Sequence, residues 1–284
     1  LDIIADLHIH STASDGELEP DRLVSLAVSK GLAAVSVTDH DTFAGIASAA
    51  ESGNRHAIRV IPGVEISAEY EPGMLHILGY FPTYPAGMEY ALAEVQKARR
   101  DRFPRIVKKL NELGIGLTEE DVVHVAGDAQ IGRPHIAKAL LKNGYVGSFD
   151  EAFDKYLSKG KKAYVPKEKM SWKDAVGLIR HHGGLPVLAH PLTLNLSEAD
   201  LRAFIGEMKL MGLAGIEAHY PDHALAHTVL YMRIALDSGL IVTGGTDFHG
   251  PSRNAVNIGD KGIDSSLLKI FLDELMKEGK EGSR

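Results

Sequence analysis

His8 and His10 stand two residues apart at the end of an apolar run, Ile3-Ile4-Ala5-Asp6-Leu7. Asp247 and His249 repeat that spacing after Leu240-Ile241-Val242. A strand has a side-chain period of two, so each pair projects to one face of a sheet. His40, Glu65, His76 and His190 each close a further hydrophobic run. Imidazoles and carboxylates gathered at strand ends are what a buried metal cluster at the mouth of an α/β barrel requires. The chemistry this implies is metal-assisted hydrolysis.

The composition narrows the ligand chemistry. The chain of 284 residues has no cysteine, which excludes disulfides, thiolate metal sites and a cysteine nucleophile. Any cation must be held by imidazole and carboxylate, a donor set suited to Mn, Fe or Zn. A net charge of −7 argues against a general polyanion-binding surface, double-stranded nucleic acid included. It leaves a phosphorylated small substrate open, because bound divalent cations invert the local field. No apolar stretch is long enough to span a bilayer, and the first residues carry neither a basic region nor an apolar signal core. A cytoplasmic protein without a membrane partner is the expectation.

Strand-like runs at Ile3–His8, Ala34–Thr38, Ile58–Ile61, Leu75–Gly79, Leu185–Ala189, Gly215–Ala218 and Leu240–Thr243 alternate with helical patterns. The alternation predicts parallel strands joined by crossover helices, and seven strands in this order fit a closed barrel. Residues 88–162 break the alternation and read as helices only. The predicted architecture is a distorted (β/α)7 barrel from 1–87 and 163–284, with 88–162 as a helical insertion over the mouth. Thr118-Glu119-Glu120-Asp121 opens one insertion helix with a capping-box spacing. Asp41 and Thr42 are placed to cap the helix that follows them. Asp6 and Asp39 flank candidate ligands and are expected to orient them.

Asp6-Leu7-His8-Ile9-His10-Ser11, Thr38-Asp39-His40-Asp41, Gly63-Val64-Glu65, Ala189-His190-Pro191 and Thr246-Asp247-Phe248-His249, in this order, resemble the polymerase and histidinol phosphatase (PHP) superfamily. The resemblance covers both ends of the chain, and the five motifs together are far more specific than a single HxH. It implies a seven-stranded barrel holding three divalent cations, with Mn²⁺ favoured over Fe²⁺ or Zn²⁺. His8, His10, Glu65 and Asp247 would hold one. Glu65 would bridge to a second, completed by His76 and His190. Asp15, His40 and His249 would hold the third, Asp15 standing where many members have a histidine or an aspartate.

Ile131-Gly132-Arg133-Pro134-His135-Ile136 is the conspicuous segment of the insertion. Pro134 suits a first helical turn, which puts N–H groups and a forked guanidinium beside one another, as phosphate recognition requires. Arg133 is expected to neutralise phosphate charge, and His135 to bind phosphate or protonate the leaving oxygen. Lys161 and His223 are expected to touch substrate. With Gly-Arg-Pro-His in a helical insertion, the chain resembles a branch of free-standing phosphoesterases that act on nucleotides. The activity implied is hydrolysis of a phosphate monoester, foremost the 3′-phosphate of a nucleoside 3′,5′-bisphosphate, by a hydroxide shared between two cations. The alternatives are 5′-to-3′ exonuclease action on short oligoribonucleotides, histidinol-phosphate phosphatase, an amidohydrolase-type deaminase and a noncatalytic metal-stabilised module. Neither GxxxxGKS/T nor GxGxxG occurs, so triphosphate-cradling and dinucleotide readings find no support.

Overall fold

The computed structural model describes residues 2–281 except 128, 130, 167–169 and 254–255; of 98, 99, 280 and 281 only the backbone is described. Eight strands form one nearly closed sheet: β1 (Ala5–Ile9), β2 (Ala34–Val37), β3 (Arg59–Glu69), β4 (Leu75–Tyr80), β5 (Met170–Ser171), β6 (Leu185–Leu188), β7 (Gly215–His219) and β8 (Ile241–Gly244). The order around the barrel is β1-β2-β3-β4-β6-β7-β8, with the two-residue β5 added to the far end of β3. Beyond β8 the chain returns to β1, where Asp247 N–H donates to His8 O and His10 N–H to Phe248 O. β1 and β2 are buried along their whole length, as barrel strands covered on both faces must be.

Two strand expectations need correction. β4 runs antiparallel to both β3 and β6, because a short connection after Glu69 returns the chain directly instead of through a crossover helix. Also, β3 does not stop at Ile61 but continues through Pro62 and Gly63 to Glu69. Pro62 keeps its carbonyl in the ladder, accepting from Phe81 N–H. Gly63 is needed for close approach, since a Cβ there would lie 2.4 Å from Ser36 Oγ. Glu65 therefore sits inside a strand, not at its end.

The helices are α1 (Pro20–Ser29), α2 (Ile46–His56), α3 (Met88–Glu112), α4 (Glu119–Ala126), α5 (Arg133–Lys142), α6 (Phe149–Ala152), α7 (Trp172–His181), α8 (Glu198–Leu210), α9 (Leu225–Ser238) and α10 (Ser265–Glu281). Helix α6 runs on into a π-helical turn, Phe153–Leu157. Thr118 caps α4 as its spacing predicts, exchanging hydrogen bonds with Asp121. Asp41 and Thr42 do not cap α2, whose N-cap is Gly45. Asp41 instead takes a left-handed φ of 54° and accepts from Ser67 N–H, tying the end of β2 to β3.

Apolar packing falls into separate clusters. Ile106, Leu110, Val122, Ile136, Leu140 and Leu157 belong to one drawn from the helical stretch and from Ala163 and Val165 just after it. Met88 and Leu92, at the start of α3, pack instead with Phe81 and Ile179 in the cluster around the barrel. Helix α3 thus joins the two bodies. Among the described residues no helix is long and apolar enough to cross a membrane.

Candidate metal centre

Glu65 lies at the middle of the barrel mouth, 1% exposed. In the β3–β4 register Glu65 faces Leu78 and Ser67 faces His76, so Glu65 and His76 are diagonal neighbours. His76 Nδ1 is 2.7 Å from Glu65 Oε1, and His190 Nε2 is 3.0 Å from the same oxygen. The antiparallel sense of β4 explains why His76, at its start, meets residues from the ends of parallel strands. His10 Nε2 and His40 Nδ1 approach Oε2 at 3.3 and 2.8 Å.

Among the described residues, three groups of donor atoms come within 4.8 Å of one another: His8, His10, Glu65 and Asp247; His40, Glu65 and His76; and His10, Asp15, His40 and His249. All nine residues singled out in the sequence converge here, His190 through its contact with Glu65. The grouping differs in detail from the implied one. His10 joins the Asp15 group as well as the first, and His40 shares both the Asp15 and the Glu65–His76 groups.

The donor atoms fit cations and little else. His40 Nδ1, Glu65 Oε2 and Asp247 Oδ1 are buried without a hydrogen-bond partner of good geometry among the described residues, although each has polar neighbours close by. Buried polar atoms are rarely left unsatisfied, and lone pairs that converge without protons between them call for a positive ion. His8 Nε2 and His10 Nε2 lie 3.2 Å apart, close enough to face one cation.

Titration follows the same arrangement. Burial works against the Glu65 carboxylate, but His76, His40 and His8 outweigh it and hold the group well below its ordinary range. Asp15 is likewise depressed, by His249, His40 and Arg253 against burial. Burial holds His76 down at about 4 and lowers His40, leaving neutral imidazoles with free lone pairs. His10 is also buried, yet Asp247 and Glu65 lift it to about 10.

A further layer fixes these side chains. Glu217, fully buried in β7, accepts from His8 Nδ1–H at 2.9 Å and from the His190 backbone N–H at 2.8 Å. Sequence reasoning missed this role; the available signal was a lone carboxylate inside the apolar strand Gly215–Ala218. Tyr220 donates to Asp247 Oδ2 at 3.0 Å. His190 and Asp247 take φ of 25° and 50°, uncommon for residues with a side chain, and the bonds to Glu217 and His8 O hold them there. Asp39 and Asp6 act on backbone loops instead of on ligand rings. Asp39 accepts from Ser11 N–H, Ser11 Oγ and Ser14 Oγ, which shapes the loop leading to Asp15. Asp6 accepts from Thr246 N–H and Oγ1 and from Gly259 N–H, which shapes the loop leading to Asp247.

The expected substrate contacts are dispersed. His135 is buried and lines a cleft of about 380 Å³ with Thr12, Gly16, Glu17, Lys138 and Ser252. Its Nδ1 accepts from Gly132 N–H, so the neutral ring carries its proton on Nε2. Arg133 Nη1 donates to Leu157 O, and the guanidinium lies near the Phe153 and Tyr164 rings. His223 donates from Nδ1 to Ala218 O, is buried against Tyr220 and Tyr231, and is not among the residues lining that cleft. Lys161 is exposed in a turn.

A barrel of mostly parallel strands whose mouth concentrates shared carboxylates and imidazoles defines a metal-dependent hydrolase. Residues 6–170 match the PHP domain, and the chain belongs to that family. It is similar to the 5′-3′ exoribonuclease Rnm of Escherichia coli, 35% identical over 88% of this chain and 86% of that one. It is also similar to a 3′,5′-nucleoside bisphosphate phosphatase of Chromobacterium violaceum, 32% identical over 89% and 90%. Among solved structures, one described as a metal-dependent phosphoesterase from Bifidobacterium adolescentis superposes with a TM-score of 0.85. That pair is 29% identical, with 97% of this chain and 96% of the other covered. The chain is a metal-dependent phosphoesterase of the PHP family.

Proposed function

We propose that the protein removes the 3′-phosphate from a nucleoside 3′,5′-bisphosphate. The observation that carries this reading is the cleft beside the Asp15 loop, walled by barrel residues Gly16, Glu17 and Ser252 and by His135 and Lys138 of α5. Its volume falls in the small-ligand range, not that of an open groove for a long polymer. The Chromobacterium relative's named substrate is of this size and chemistry.

His8, His10, Glu65 and Asp247 would hold one divalent cation, Glu65, His76 and His190 a second, and Asp15, His40 and His249 a third, with His10 and His40 near enough to serve two. Mn²⁺ suits this nitrogen and oxygen donor set. When bound, such cations supply Lewis-acid polarisation of phosphoryl oxygens and a nucleophile at neutral pH. The chain's own residues do the rest. Glu217 and Tyr220 keep His8, His190 and Asp247 in place, so no ligand has to reorganise as charge develops. His135, with its proton on Nε2, is positioned at the cleft to hold a phosphate oxygen or hand that proton to the leaving alkoxide. Arg133, at the start of the same helix, adds positive charge on this side.

The second reading, 5′-to-3′ removal of nucleotides from short RNA, is favoured by the named activity of the E. coli relative. Both are tested by stripping the protein of metal, reloading it with Mn²⁺ and following phosphate and nucleotide release. The substrates are nucleoside mono- and bisphosphates, dinucleotides, longer oligoribonucleotides and histidinol phosphate. Fastest phosphate release from a 3′,5′-bisphosphate supports the proposal. Preference for oligoribonucleotides, or for histidinol phosphate, replaces it.

A further inference from the structure

The two oxygens of the Asp15 carboxylate face different groups. Oδ1 is 3.2 Å from His249 Nε2 and 3.9 Å from His40 Nε2, on the side of the candidate cluster. Oδ2 accepts from Arg253 Nη1 at 3.1 Å, and the same nitrogen donates to the Asp15 backbone carbonyl at 3.1 Å. The guanidinium carbon lies 4.9 Å from the centre of the Phe149 ring of the helical stretch, and the side chain is 17% exposed.

One nitrogen therefore makes all of the side-chain hydrogen bonds that Arg253 forms among the described residues. The edge formed by Nε and Nη2 has no protein acceptor there, while Asp15 and Phe149 hold the plane in place. That edge is the half of a guanidinium that matches two oxygens of a phosphate.

Electrostatics points the same way. A fixed positive charge against a carboxylate that faces a cation site works against the cation, because like charges repel. The arrangement becomes favourable once an anion lies between them, with the cation on one side of its oxygens and the guanidinium on the other. The neighbouring Ser252 already lines the cleft proposed for substrate. Arg133, for its part, donates to Leu157 O and lies near the Phe153 and Tyr164 rings.

We propose that Arg253 is a phosphate-binding residue of the reaction, its Nε–Nη2 edge taking two nonbridging oxygens of the phosphate that lies against the Asp15–His40–His249 cluster. The inference rests on the reading of that cluster as a cation site and is independent of which nucleotide is the substrate.

The test measures binding of inorganic phosphate to Mn²⁺-loaded protein by calorimetry, alongside metal content per chain and kinetics on an aryl phosphate. Arg253→Ala is expected to weaken phosphate binding roughly ten- to a hundredfold, the loss of a charge-assisted pair, with metal content unchanged. Arg253→Lys, which can keep the bond to Asp15 but lacks the fork, is expected to recover only part of that loss. Phe149→Leu leaves every hydrogen bond in place and is expected to weaken phosphate a few-fold by releasing the guanidinium plane. Phosphate binding within twofold of the parent in Arg253→Ala overturns the proposal. So does loss of metal from Arg253→Ala with phosphate affinity restored by excess Mn²⁺, which would make Arg253 a support for Asp15. A protein that binds phosphate through Arg253 yet hydrolyses no nucleoside bisphosphate keeps this inference and defeats only the nucleotide reading.

Discussion

The barrel and the helical stretch solve the problem of burial in opposite ways. The barrel interior holds Asp6, His8, His10, Glu65 and Glu217 at 0–1% exposure, each tied to others of its kind or to backbone. Between residues 88 and 162, His135 is the only buried polar or charged side chain among the described residues. A buried charge costs heavily unless neighbours answer it, so it is tolerated where a closed sheet fixes many partners at once. The helices offer no such frame and pack Ile106, Leu110 and Leu140 instead. The contrast teaches that buried charge belongs to the barrel, while the helices contribute shape, one buried polar ring and the partly exposed charges of Arg133 and Lys138.

Substitutions can break or sharpen that contrast, beginning with the most severe. Glu65→Gln removes the carboxylate shared by two donor groups and leaves buried imidazoles without their counter-charge. Losing one partner of a buried charged network costs about 3–5 kcal/mol, so kcat/KM is expected to fall by roughly two to three decades or more. Metal analysis should show less than the parent's content, and full metal with full activity would refute the bridging role.

Glu217→Gln comes next. It keeps the shape of the side chain but removes the charge answering His8, and metal affinity or turnover is expected to drop about 10–100-fold. Titration of metal-stripped protein with Mn²⁺ reads this directly, and an unchanged affinity would make Glu217 only a packing residue of β7.

Arg133→Ala tests the helical side. Metal content should stay at the parent value while kcat/KM for a doubly phosphorylated nucleotide falls by roughly one to two decades. A lower Tm with unchanged kinetics would return Arg133 to its contacts with Leu157, Phe153 and Tyr164. The mildest change is Lys161→Ala, an exposed turn position expected to shift stability by less than about 0.5 kcal/mol. A loss of kcat/KM approaching that of Arg133→Ala would extend the substrate surface beyond the cleft.

The nine cluster residues were legible because histidine and carboxylate at the close of apolar runs have few other uses, and because the order of the motifs is itself informative. Strand direction was not legible. A period-two pattern reads the same in either sense, and the apolar run Ile58–Ile61 is followed by Pro62-Gly63, a pair that ordinarily breaks a strand. The result was a missed antiparallel β4 and a Glu65 placed at a strand end. Glu217 and Arg253 escaped notice for a different reason. Each acts through residues brought near only by closure of the barrel, 209 positions away for Glu217 and His8 and 238 for Arg253 and Asp15.

The reversed strand also separates the centre into parts with different folding histories. Glu65 and His76 meet across 11 residues within one hairpin, a contact that needs little loop closure. Asp6 and Thr246, which set the backbone leading to Asp247, meet across 240. Contacts of such long range form late and slowly. During synthesis the hairpin half exists well before Asp247 and His249 have been made, so the C-terminal strand decides when the full set of donor groups first comes together.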